Sequence, residues 1–498
     1  MGAEPVSAVA ERLDALTSWH HDWSGLRVAV LGLGATGFSV ADTLVELGAS
    51  VRVIHGKPDA DRERLLDVIG AERALAPSDE EHLAELAAFG PELMVVSPGY
   101  PAHHPAVAWA AEHGVAVWGD IELGWRLRDK TDRIADWICI TGTNGKTTTT
   151  QLTAHMLVAG GLRAAPVGNI GTPLLDALRD PVGYDALVVE LSSFQLERVH
   201  SMSPYASACL NLADDHLDWH GSAGAYRDAK AKVYANTQVA CVYNRGDLET
   251  ERMVEEADVI EGARAISFGL DSPPPSGFGV VDGILIDRGF HADRRGEAFE
   301  LVTVEELENR GIGQPHMGLN ILAAAALARS RGVEPAEIAG AVLSFTPDPH
   351  RAQQLGEFAG VRWVDDSKAT NVHAAEASLR ALQGVVWVVG GLLKGVDISP
   401  LVAANAARLR GAVVIGADRA EVLRILTEHA PGVPVAEVLA ERGIDVMREA
   451  VAAAARLAQV GDTVLLSPAS ASMDQFADYA ARGRAFQEAL AELTAGRE

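Results

Sequence analysis

Short runs of β-branched residues alternate with alanine- and leucine-rich stretches in three successive blocks of this chain. Such runs predict buried parallel strands, and the stretches between them predict helices that cover the sheets. At 498 residues the chain is also too long for one hydrophobic core. We therefore predict an α/β protein of three domains, at residues 1–130, 131–347 and 348–498. The last boundary falls at a proline-rich linker, Thr346-Pro347-Asp348-Pro349.

The composition restricts the classes of partner. Hydrophobic residues make up 48% of the chain and charged residues 22%, which is typical of a folded globular protein. The formal net charge of −26 would repel nucleic acid and anionic membrane surfaces. Any phosphate ligand must therefore be bound by local groups, such as glycine loops, helix N-termini, single basic residues and divalent metal.

Further features predict a cytoplasmic location. Cys139, Cys209 and Cys241 lie in apolar strand-like runs without metal-ligand spacing, and we interpret them as buried reduced thiols. The segment from Met1 to Val9 lacks the features of a secretory signal. The longest nearly apolar run, Gly384 to Leu393, is about half the ~20 residues that span a bilayer, so membrane insertion is not expected.

A glycine-rich turn follows the first predicted strand, Arg27 to Leu31. The segment Gly32-Leu33-Gly34-Ala35-Thr36-Gly37 matches the dinucleotide fingerprint and leads into a helix predicted from Phe38 to Leu47. NAD binding would also favour an acidic residue at the end of the next strand, Ser50 to Ile54, and none is present there. A nicotinamide-dependent oxidoreductase is one alternative function, which thermal-shift titration with NAD would test.

The strongest single signal is the segment from Gly142 to Thr148, Gly-Thr-Asn-Gly-Lys-Thr-Thr, between a predicted strand and a predicted helix. This arrangement is typical of loops that bind phosphates. Backbone N–H groups would hold the phosphates, Lys146 would neutralise developing charge, and the Thr147 hydroxyl would bind Mg²⁺. The first glycine lies two residues closer to the lysine than in a full Walker A loop, and an ordinary strand-to-helix turn is the alternative.

Polar residues also follow two later strands of the second block. Glu190 ends an apolar run and could bind the Mg²⁺ of a nucleotide. His216 follows the strand predicted from Ala206 to Leu210 and could bind a metal through a neutral imidazole. Taken alone, each of these residues is more often a solvated strand end or a surface side chain.

Taken together, the motifs resemble those of the Mur ligases, occur in the order of that family and cover nearly the whole chain. They are Gly142 to Thr148, Glu190-Leu191-Ser192-Ser193-Phe194-Gln195, Asn211-Leu212-x-x-Asp215-His216-Leu217-Asp218, Tyr226-Arg227-x-x-Lys230, Pro349-His350-Arg351, Asp366-Ser367-Lys368-Ala369-Thr370-Asn371 and Gly390-Gly391-x-x-Lys394-Gly395. Several spaced motifs in order are far more specific than any one of them.

The resemblance implies a Rossmann-like N-terminal domain that binds a UDP-sugar, a central P-loop ATPase-type domain with a parallel sheet, and a C-terminal Rossmann-like domain that binds an amino acid. It also implies that ATP phosphorylates a substrate carboxylate and that the amino group of the second substrate then attacks the acyl phosphate. Such a ligase uses ATP and two Mg²⁺ ions, with Mn²⁺ as an alternative. We expect it to act as a monomer.

The resemblance also implies roles for single residues. The expected catalytic residues are Lys146, His216, Lys230 and Lys368. The expected ATP contacts are Gly142, Thr143, Asn144, Gly145, Lys146, Thr147, Thr148, Asn320, Arg351, Asp366 and Lys368. The expected metal ligands are Thr147, Glu190, His216 and Lys230.

Two of these assignments have specific alternatives. An ammonium group cannot bind a metal, so Lys230 would act as a carbamate, the modification that the resemblance implies; the alternative is an ordinary surface lysine. Asn320 opens a helix predicted to run to Arg331, where a helix N-cap is the alternative role.

Three segments resemble the branch of the family that adds D-glutamate to UDP-N-acetylmuramoyl-L-alanine in peptidoglycan precursor synthesis. They are Gly32 to Gly37, Ser97-Pro98-Gly99 with Gly119-Asp120-Ile121-Glu122-Leu123, and Ser467 to Phe476. The expected UDP-sugar contacts are Gly34, Ala35, Thr36, Gly99, Asn169, Ser192 and Gln195. The expected D-glutamate contacts are Thr370, Lys394, Ser472 and Tyr479.

Some interpretations stay open at this point. The chain has His55-Gly56-Lys57 where the family often has Asp-Thr-Arg, so no uridine contact is assigned there. Within the family, the L-alanine-adding enzyme and folylpolyglutamate synthetase are the alternatives. Outside it, a P-loop switch would hydrolyse ATP without a carboxylate substrate. The loop-rich stretch around residues 270–300 receives no function.

Overall fold

The computed structural model describes residues 6–495 and contains three sheets. The chain divides into two compact units, of which the first ends at Phe345 and the second begins at Thr346. Two of the sheets lie in the first unit and one lies in the second. The α/β fold class is confirmed, whereas the domain boundary at residue 130 stays a prediction.

The strands are β1 Arg27–Leu31, β2 Ser50–His55, β3 Glu72–Leu75, β4 Leu93–Val96, β5 Ala116–Trp118, β6 Asp136–Thr141, β7 Ala164–Gly168, β8 Ala186–Glu190, β9 Ala206–Cys209, β10 Ala240–Asn244, β11 Arg264–Phe268, β12 Gly277–Val281, β13 Ile284–Asp287, β14 Phe299–Thr303, β15 Gln353–Phe358, β16 Val361–Asp365, β17 Val385–Gly390, β18 Leu409–Ile415, β19 Val435–Glu437 and β20 Thr463–Leu466.

The helices are α1 Val6–Ala15, α2 Ala35–Glu46, α3 Ala60–Ile69, α4 Asp79–Phe89, α5 Pro105–Glu112, α6 Asp120–Arg126, α7 Lys146–Ala159, α8 Leu174–Leu178, α9 Ser193–Leu196, α10 Leu217–His220, α11 Ala223–Ala231, α12 Leu248–Glu255, α13 Val304–Asn309, α14 Pro315–Ser330, α15 Pro335–Ser344, α16 Val372–Arg380, α17 Ser399–Asn405, α18 Arg419–His429, α19 Ile444–Leu457 and α20 Tyr479–Ala495.

The first sheet has the strand order β3-β2-β1-β4-β5, and every neighbouring pair is parallel. This is the order of a Rossmann-like sheet with five strands, and the order reverses between β1 and β4. The helix after β1 begins at Ala35, three residues before the predicted start at Phe38, because Gly34 already serves as its N-cap. Ala35 and Thr36 therefore lie in the first turn of α2.

The second sheet has the order β14-β13-β12-β11-β10-β9-β6-β8-β7. Every pair in the order from β12 to β7 is parallel, whereas the pairs β12-β13 and β13-β14 are antiparallel and form one edge of the sheet. This edge corrects the expectation of a loop-rich stretch around residues 270–300. Prolines and glycines hide the period-2 pattern of these short strands, so the sequence did not indicate them.

The sheet of the second unit has the order β15-β16-β20-β17-β18-β19, with only β15 antiparallel to its neighbour. Apolar residues of β16, β17, β18 and β20 alternate between two buried layers, one on each face of the sheet. This arrangement confirms the predicted central strands of the third block. Helices on both faces leave the carboxyl ends of the strands as the place for a ligand.

The three cysteines are free and buried, as predicted. Among the residues that the structure describes, no helix is both long enough and apolar enough to cross a membrane.

A buried ion pair attaches the antiparallel edge to α14. Arg329 Nε donates to Asp287 Oδ2 at 2.8 Å, and the two side chains are 7% and 0% exposed. Asp287 also accepts hydrogen bonds from the N–H groups of Gly289 and Phe290. Without Arg329, the carboxylate would remain buried with no cation.

We predict that Arg329→Met destabilises the first unit by ~3–5 kcal/mol, because removal of one partner leaves a buried charge uncompensated. Urea denaturation, with hydrogen exchange of β12, β13 and β14 as a local probe, would measure the loss. The control is Arg424→Met, which breaks exposed pairs with Glu421 and Glu428 and should destabilise the protein far less, because exposed ion pairs contribute little to stability. Equal effects of the two substitutions would contradict the prediction.

Candidate active site

The phosphate loop lies at the carboxyl end of β6, between β8 and β9 in the second sheet. Its backbone turns through Gly142 with φ 150° and Gly145 with φ 83°, and α7 begins at Lys146. A Cβ atom on Gly145 would collide with Asn320 Oδ1, and a Cβ atom on Gly142 would lie 3.0 Å from the Leu210 Cβ atom. These positions therefore require glycine, and the first N–H groups of α7 are left to face phosphate oxygens.

Neighbouring loops hold the phosphate loop in shape. The Asn144 N–H donates to Asn211 Oδ1 at 2.8 Å, and Asn211 Nδ2 donates to the Asn144 carbonyl at 3.0 Å. The Thr143 hydroxyl lies 3.0 Å from the Tyr226 hydroxyl and accepts from the Ala213 N–H at 3.0 Å. Sequence analysis assigned no role to Asn211 or Tyr226. Their only signal was their place in the quoted motifs, because the contacts join segments far apart in the chain.

Lys146 and Lys230 share one acceptor. Each Nζ atom donates to the Gly142 carbonyl at 2.9 Å. Lys230 is 2% exposed, so the interpretation as a surface lysine is wrong. Burial, followed by repulsion from Lys146, lowers the pKa of Lys230 to about 7. A sizeable fraction of this amine is therefore uncharged at neutral pH, unlike an ordinary lysine.

Glu190 lies next to the phosphate loop, because β8 pairs with β6 in a register that places it opposite Ile140. Its Oε1 atom accepts from Asn169 Nδ2 at 3.0 Å. Its Oε2 atom is buried and has no hydrogen-bond partner among the described residues. Such an oxygen is costly unless a donor or a cation binds it. Glu190 and the Thr147 hydroxyl at the start of α7 therefore fit a Mg²⁺ ion, which prefers oxygen ligands.

His216 is the most exposed of the expected metal ligands. Its side chain is 45% exposed, its backbone has φ 52°, and its ring packs on Phe194 with 4.8 Å between centroids. Among the side chains that the structure describes, which do not include those of Leu217 and Asp218, no group of three or more His, Cys, Asp or Glu is arranged to hold a metal.

Asn320 lies in the second turn of α14 and not at its N-terminus. The helix begins at Pro315 after the N-cap Gln314, so the N-cap role for Asn320 is wrong. The side chain is 8% exposed and lies against Gly145 of the phosphate loop. Proline is favoured in the first turn of a helix, so the sequence did contain a signal for the earlier start.

Four of the expected UDP-sugar contacts lie at the carboxyl ends of strands in the first sheet. Gly34 is the N-cap of α2, Ala35 and Thr36 form its first turn, and Gly99 follows β4. The strands β1 and β4 are the pair at which the strand order reverses. Open α/β sheets bind ligands at this point.

The rest of that set follows strands of the second sheet. Asn169 follows β7, and Ser192 forms a capping box with Gln195 at the start of α9. Gln195 is 3% exposed, and its Nε2 atom donates to Asp120 Oδ2 in α6 at 3.0 Å. Because Oε1 accepts from the Ser192 backbone and hydroxyl, the amide is fixed in one orientation. One Nε2 hydrogen is left for a ligand.

In the second unit, Asp366 follows β16 and is 8% exposed. Its Oδ2 atom accepts from the hydroxyls of Ser378 and Ser467, and its Oδ1 atom accepts from the Ala352 N–H. Burial raises the pKa of Asp366 to about 6 although these hydrogen bonds oppose the shift. The bond to Ala352 also fixes the turn that carries Arg351.

Three of the four residues expected to bind the amino acid lie in loops after strands of the third sheet, and the fourth, Tyr479, is the first residue of α20. Thr370 follows β16, Lys394 follows β17 with φ 53°, and Ser472 follows β20. An isolated antiparallel bridge joins the loops after β17 and β20. The Lys368 Nζ atom lies 3.9 Å from the centroid of the Tyr479 ring, which joins the loop after β16 to α20.

Three family models match most of the chain. They are the Mur ligase MurD-like N-terminal domain at residues 26–119, the Mur ligase middle domain at 140–328 and the Mur ligase glutamate ligase domain at 350–470. A UDP-N-acetylmuramoylalanine–D-glutamate ligase of Leifsonia xyli subsp. xyli is 62% identical, and the match covers 99% of this chain and 97% of that protein. The chain belongs to the Mur ligase family. It is thus an ATP-dependent amide-bond ligase, and ATP and Mg²⁺ come with the family.

A second relative and two solved structures agree with this membership. The ligase of the same name from Streptomyces coelicolor is 49% identical over 95% of this chain and 99% of that protein. A pseudomurein peptide ligase type C from Methanothermus fervidus has a TM-score of 0.57 at 16% identity, covering 94% of this chain and 100% of that one. The UDP-N-acetylmuramate-alanine ligase of Thermotoga maritima has a TM-score of 0.55 at 18% identity, covering 94% and 99%. These two structures show the shared fold, and ligase membership excludes the oxidoreductase and the ATP-driven switch.

We predict that Gly145→Ala lowers ATP-dependent phosphate release by at least ~10²-fold, because the new Cβ atom collides with Asn320 and the left-handed turn is strained. The matched control is Gly161→Ala just after the same helix, which has φ 82° and no atom within 4 Å of the new Cβ atom. The control should be destabilised by ~1–2 kcal/mol and keep its turnover. Similar turnover for the two folded variants would contradict the assigned loop geometry.

Proposed function

We propose that this chain adds D-glutamate to UDP-N-acetylmuramoyl-L-alanine with ATP and produces UDP-N-acetylmuramoyl-L-alanyl-D-glutamate, ADP and phosphate. The observation that carries the proposal is the 62% identity, over 99% of this chain, to a ligase of that name. The phosphate loop, the buried Glu190 and the cationic loops of the second unit supply suitable chemistry. The proposal includes a monomer in the cytoplasm that acts in peptidoglycan precursor synthesis.

The reaction divides into two steps. A carboxylate oxygen of the alanyl group attacks the γ-phosphorus of ATP, the bond to the ADP oxygen breaks, and an acyl phosphate forms. The amine nitrogen of D-glutamate then attacks the acyl carbon, the bond to phosphate breaks, and the nitrogen loses a proton. The first step makes sense because a free carboxylate is a poor acyl donor at neutral pH.

Residues of the first unit would mainly bind and neutralise the negative charge of the ATP phosphates. The N–H groups of α7 and the Lys146 ammonium would bind phosphate oxygens on which negative charge develops. Thr147 and Glu190 would hold Mg²⁺, or Mn²⁺ in its place, with His216 at a second ion. When bound, the metal would neutralise phosphate charge.

The proposal also assigns roles in the second unit. Arg351 would bind phosphate through its planar fork of donors. Asp366 would accept from the ATP ribose, and Lys368 would bind the transferred phosphoryl group. The expected D-glutamate contacts Lys394, Ser472, Thr370 and Tyr479 offer an ammonium and hydroxyls to a ligand with two carboxylates.

Lys230 would act as a carbamate. Its uncharged amine would attack CO₂, lose one proton and become a carboxylate that can bind metal. Its burial beside the Gly142 carbonyl supports this role, because water and competing reagents are excluded from a side chain that is 2% exposed. A permanent ammonium there would repel Mg²⁺ by several kcal/mol, even at an effective dielectric constant of ~20.

Phosphate release across UDP-muramoyl precursors and amino acids tests the function. Turnover should require UDP-N-acetylmuramoyl-L-alanine and D-glutamate together, and the folded Lys146→Ala variant, as the inactive control, should lose at least ~10²-fold. Turnover with UDP-N-acetylmuramate and L-alanine would point to the L-alanine-adding enzyme. Turnover with a folate and glutamate would point to folylpolyglutamate synthetase.

We predict that Lys230→Ala is nearly inactive and that acetate or formate partly restores its turnover, because a small carboxylate can occupy the vacated metal position. Lys230→Arg should not be restored, since it fills the space with a permanent cation. Mass spectrometry at neutral pH, or a high-resolution map, should find the added carboxylate on the wild-type lysine. Full activity of Lys230→Arg would rule out the carbamate.

We predict that Lys394→Ala raises the KM for D-glutamate far more than the KM for ATP, because the ammonium pairs with a carboxylate of the amino acid. Steady-state kinetics with each substrate varied in turn would measure both constants. The matched control is Lys57→Ala, an exposed lysine in the loop after β2 of the first unit, which should leave the KM for D-glutamate unchanged. Equal changes in the two constants of Lys394→Ala would place this residue at the nucleotide instead.

A further inference from the structure

Three polar atoms near the expected UDP-sugar contacts are buried and have no hydrogen-bond partner among the described residues. They are Arg198 Nη1, Trp219 Nε1 and Asp120 Oδ1. Arg198 and Asp120 are 6% and 5% exposed. A buried donor or acceptor without a partner costs ~1–3 kcal/mol, and more when it is charged, so three of them in one region require an explanation.

The three side chains belong to one cluster within the first unit. Arg198 lies one turn after Gln195, whose amide donates to the other oxygen of Asp120 at 3.0 Å. The Arg198 Cβ atom lies 3.4 Å from the position that a Cβ atom on Gly119 would take, directly before Asp120. The Arg198 guanidinium carbon lies 5.9 Å from the centroid of the Trp219 ring.

The same arginine reaches the edge of the first sheet. Arg198 Nη2 donates to the Tyr100 carbonyl at 2.7 Å, in the loop after β4. The Tyr100 ring in turn lies 3.3 Å from where a Cβ atom on Gly32 would be, at the glycine turn after β1. Arg198 thus contacts the loop after β4 through Nη2, whereas its Nη1 atom has no hydrogen-bond partner among the described residues.

The set of free atoms restricts the ligand. Arg198 and Trp219 offer N–H donors, and Asp120 offers an acceptor. Diphosphate presents acceptors only, so it would leave Asp120 without a partner and place two negative charges near that carboxylate. A sugar hydroxyl or an acetamido group presents both a donor and an acceptor.

We propose that Arg198, Trp219 and Asp120 bind the saccharide of the UDP-sugar substrate, an inference that rests on the proposed function. An N–H or hydroxyl of the sugar donates to Asp120 Oδ1, and acceptor oxygens of the sugar receive the N–H groups of Arg198 and Trp219. Gln195 donates to Asp120 Oδ2, which leaves Oδ1 for the sugar. These three residues are then determinants of sugar specificity.

The test compares UDP with UDP-N-acetylmuramoyl-L-alanine by isothermal titration calorimetry on the full chain. Arg198→Met should weaken binding of the muramoyl precursor by about 10- to 100-fold, the range expected for a hydrogen bond from a charged donor, and leave binding of UDP unchanged. Trp219→Phe and Asp120→Asn should each weaken binding of the precursor by about 3- to 10-fold. The KM for ATP should stay constant in all three variants.

Arg128→Met is the matched control. Arg128 also lies in the first unit, also donates to a backbone carbonyl, that of Trp125, and also lies over a tryptophan ring, with 4.1 Å between its guanidinium carbon and the ring centroid. It should change neither affinity. If Arg198→Met does not fold, Trp219→Phe decides by the same comparison, because it keeps the ring and removes only the N–H group.

Two outcomes would overturn the proposal. If Arg198→Met weakens binding of UDP and of the precursor equally, Arg198 contacts the nucleotide and not the sugar. Unchanged affinities in folded variants would mean that the three atoms bind water only. Failure of the wild-type chain to bind the precursor at all would instead reject the proposed substrate, so the two failures are distinguishable.

Discussion

The backbone of the phosphate loop is the constraint on which the site of the first unit depends. Two glycines with positive φ form the turn that places the start of α7 at the carboxyl end of β6. Side chains from outside the loop fill the space where these glycines lack side chains. Leu210 fills one side and Asn320 the other. The Gly142 carbonyl then accepts hydrogen bonds from both lysine amines. Shape, packing and charge at this site thus follow from one strand-to-helix turn.

Local charge explains how a chain with a net charge of −26 can hold a polyphosphate. The long-range field is repulsive, but it is screened beyond ~10 Å at ordinary ionic strength, whereas helix N–H groups and Lys146 act at contact distance. Short-range interactions also determine the pKa of Lys230. Burial and the neighbouring Lys146 ammonium both disfavour the charged form of Lys230 and lower its pKa.

The sequence predicted what is encoded locally. The predicted bounds of β1 agree with the structure, because this strand is an apolar run closed by a glycine turn. The motif order also indicated the family. The edge strands β12, β13 and β14 were missed because their stability comes from a distant partner, Arg329 in α14. Likewise, no local pattern shows that Asn320 packs on Gly145 or that Arg198 reaches Tyr100, since tertiary packing alone creates these contacts.

Two buried carboxylates of α6, Glu122 and Asp120, differ in how many hydrogen bonds the protein donates to them. Glu122 is fully buried, yet it accepts from Arg126, from the N–H groups of His200 and Ser201, and from the Ser201 hydroxyl. Although burial alone would raise it, these hydrogen bonds hold the pKa of Glu122 below its ordinary value. Asp120, two residues earlier, has one side-chain donor, Gln195, and burial raises its pKa to about 6. Both oxygens of Glu122 accept hydrogen bonds from the protein, and these bonds fix α6 to the segment after α9. Asp120 Oδ1 has no donor among the described residues, and such a buried carboxylate oxygen is costly unless a ligand or water supplies one.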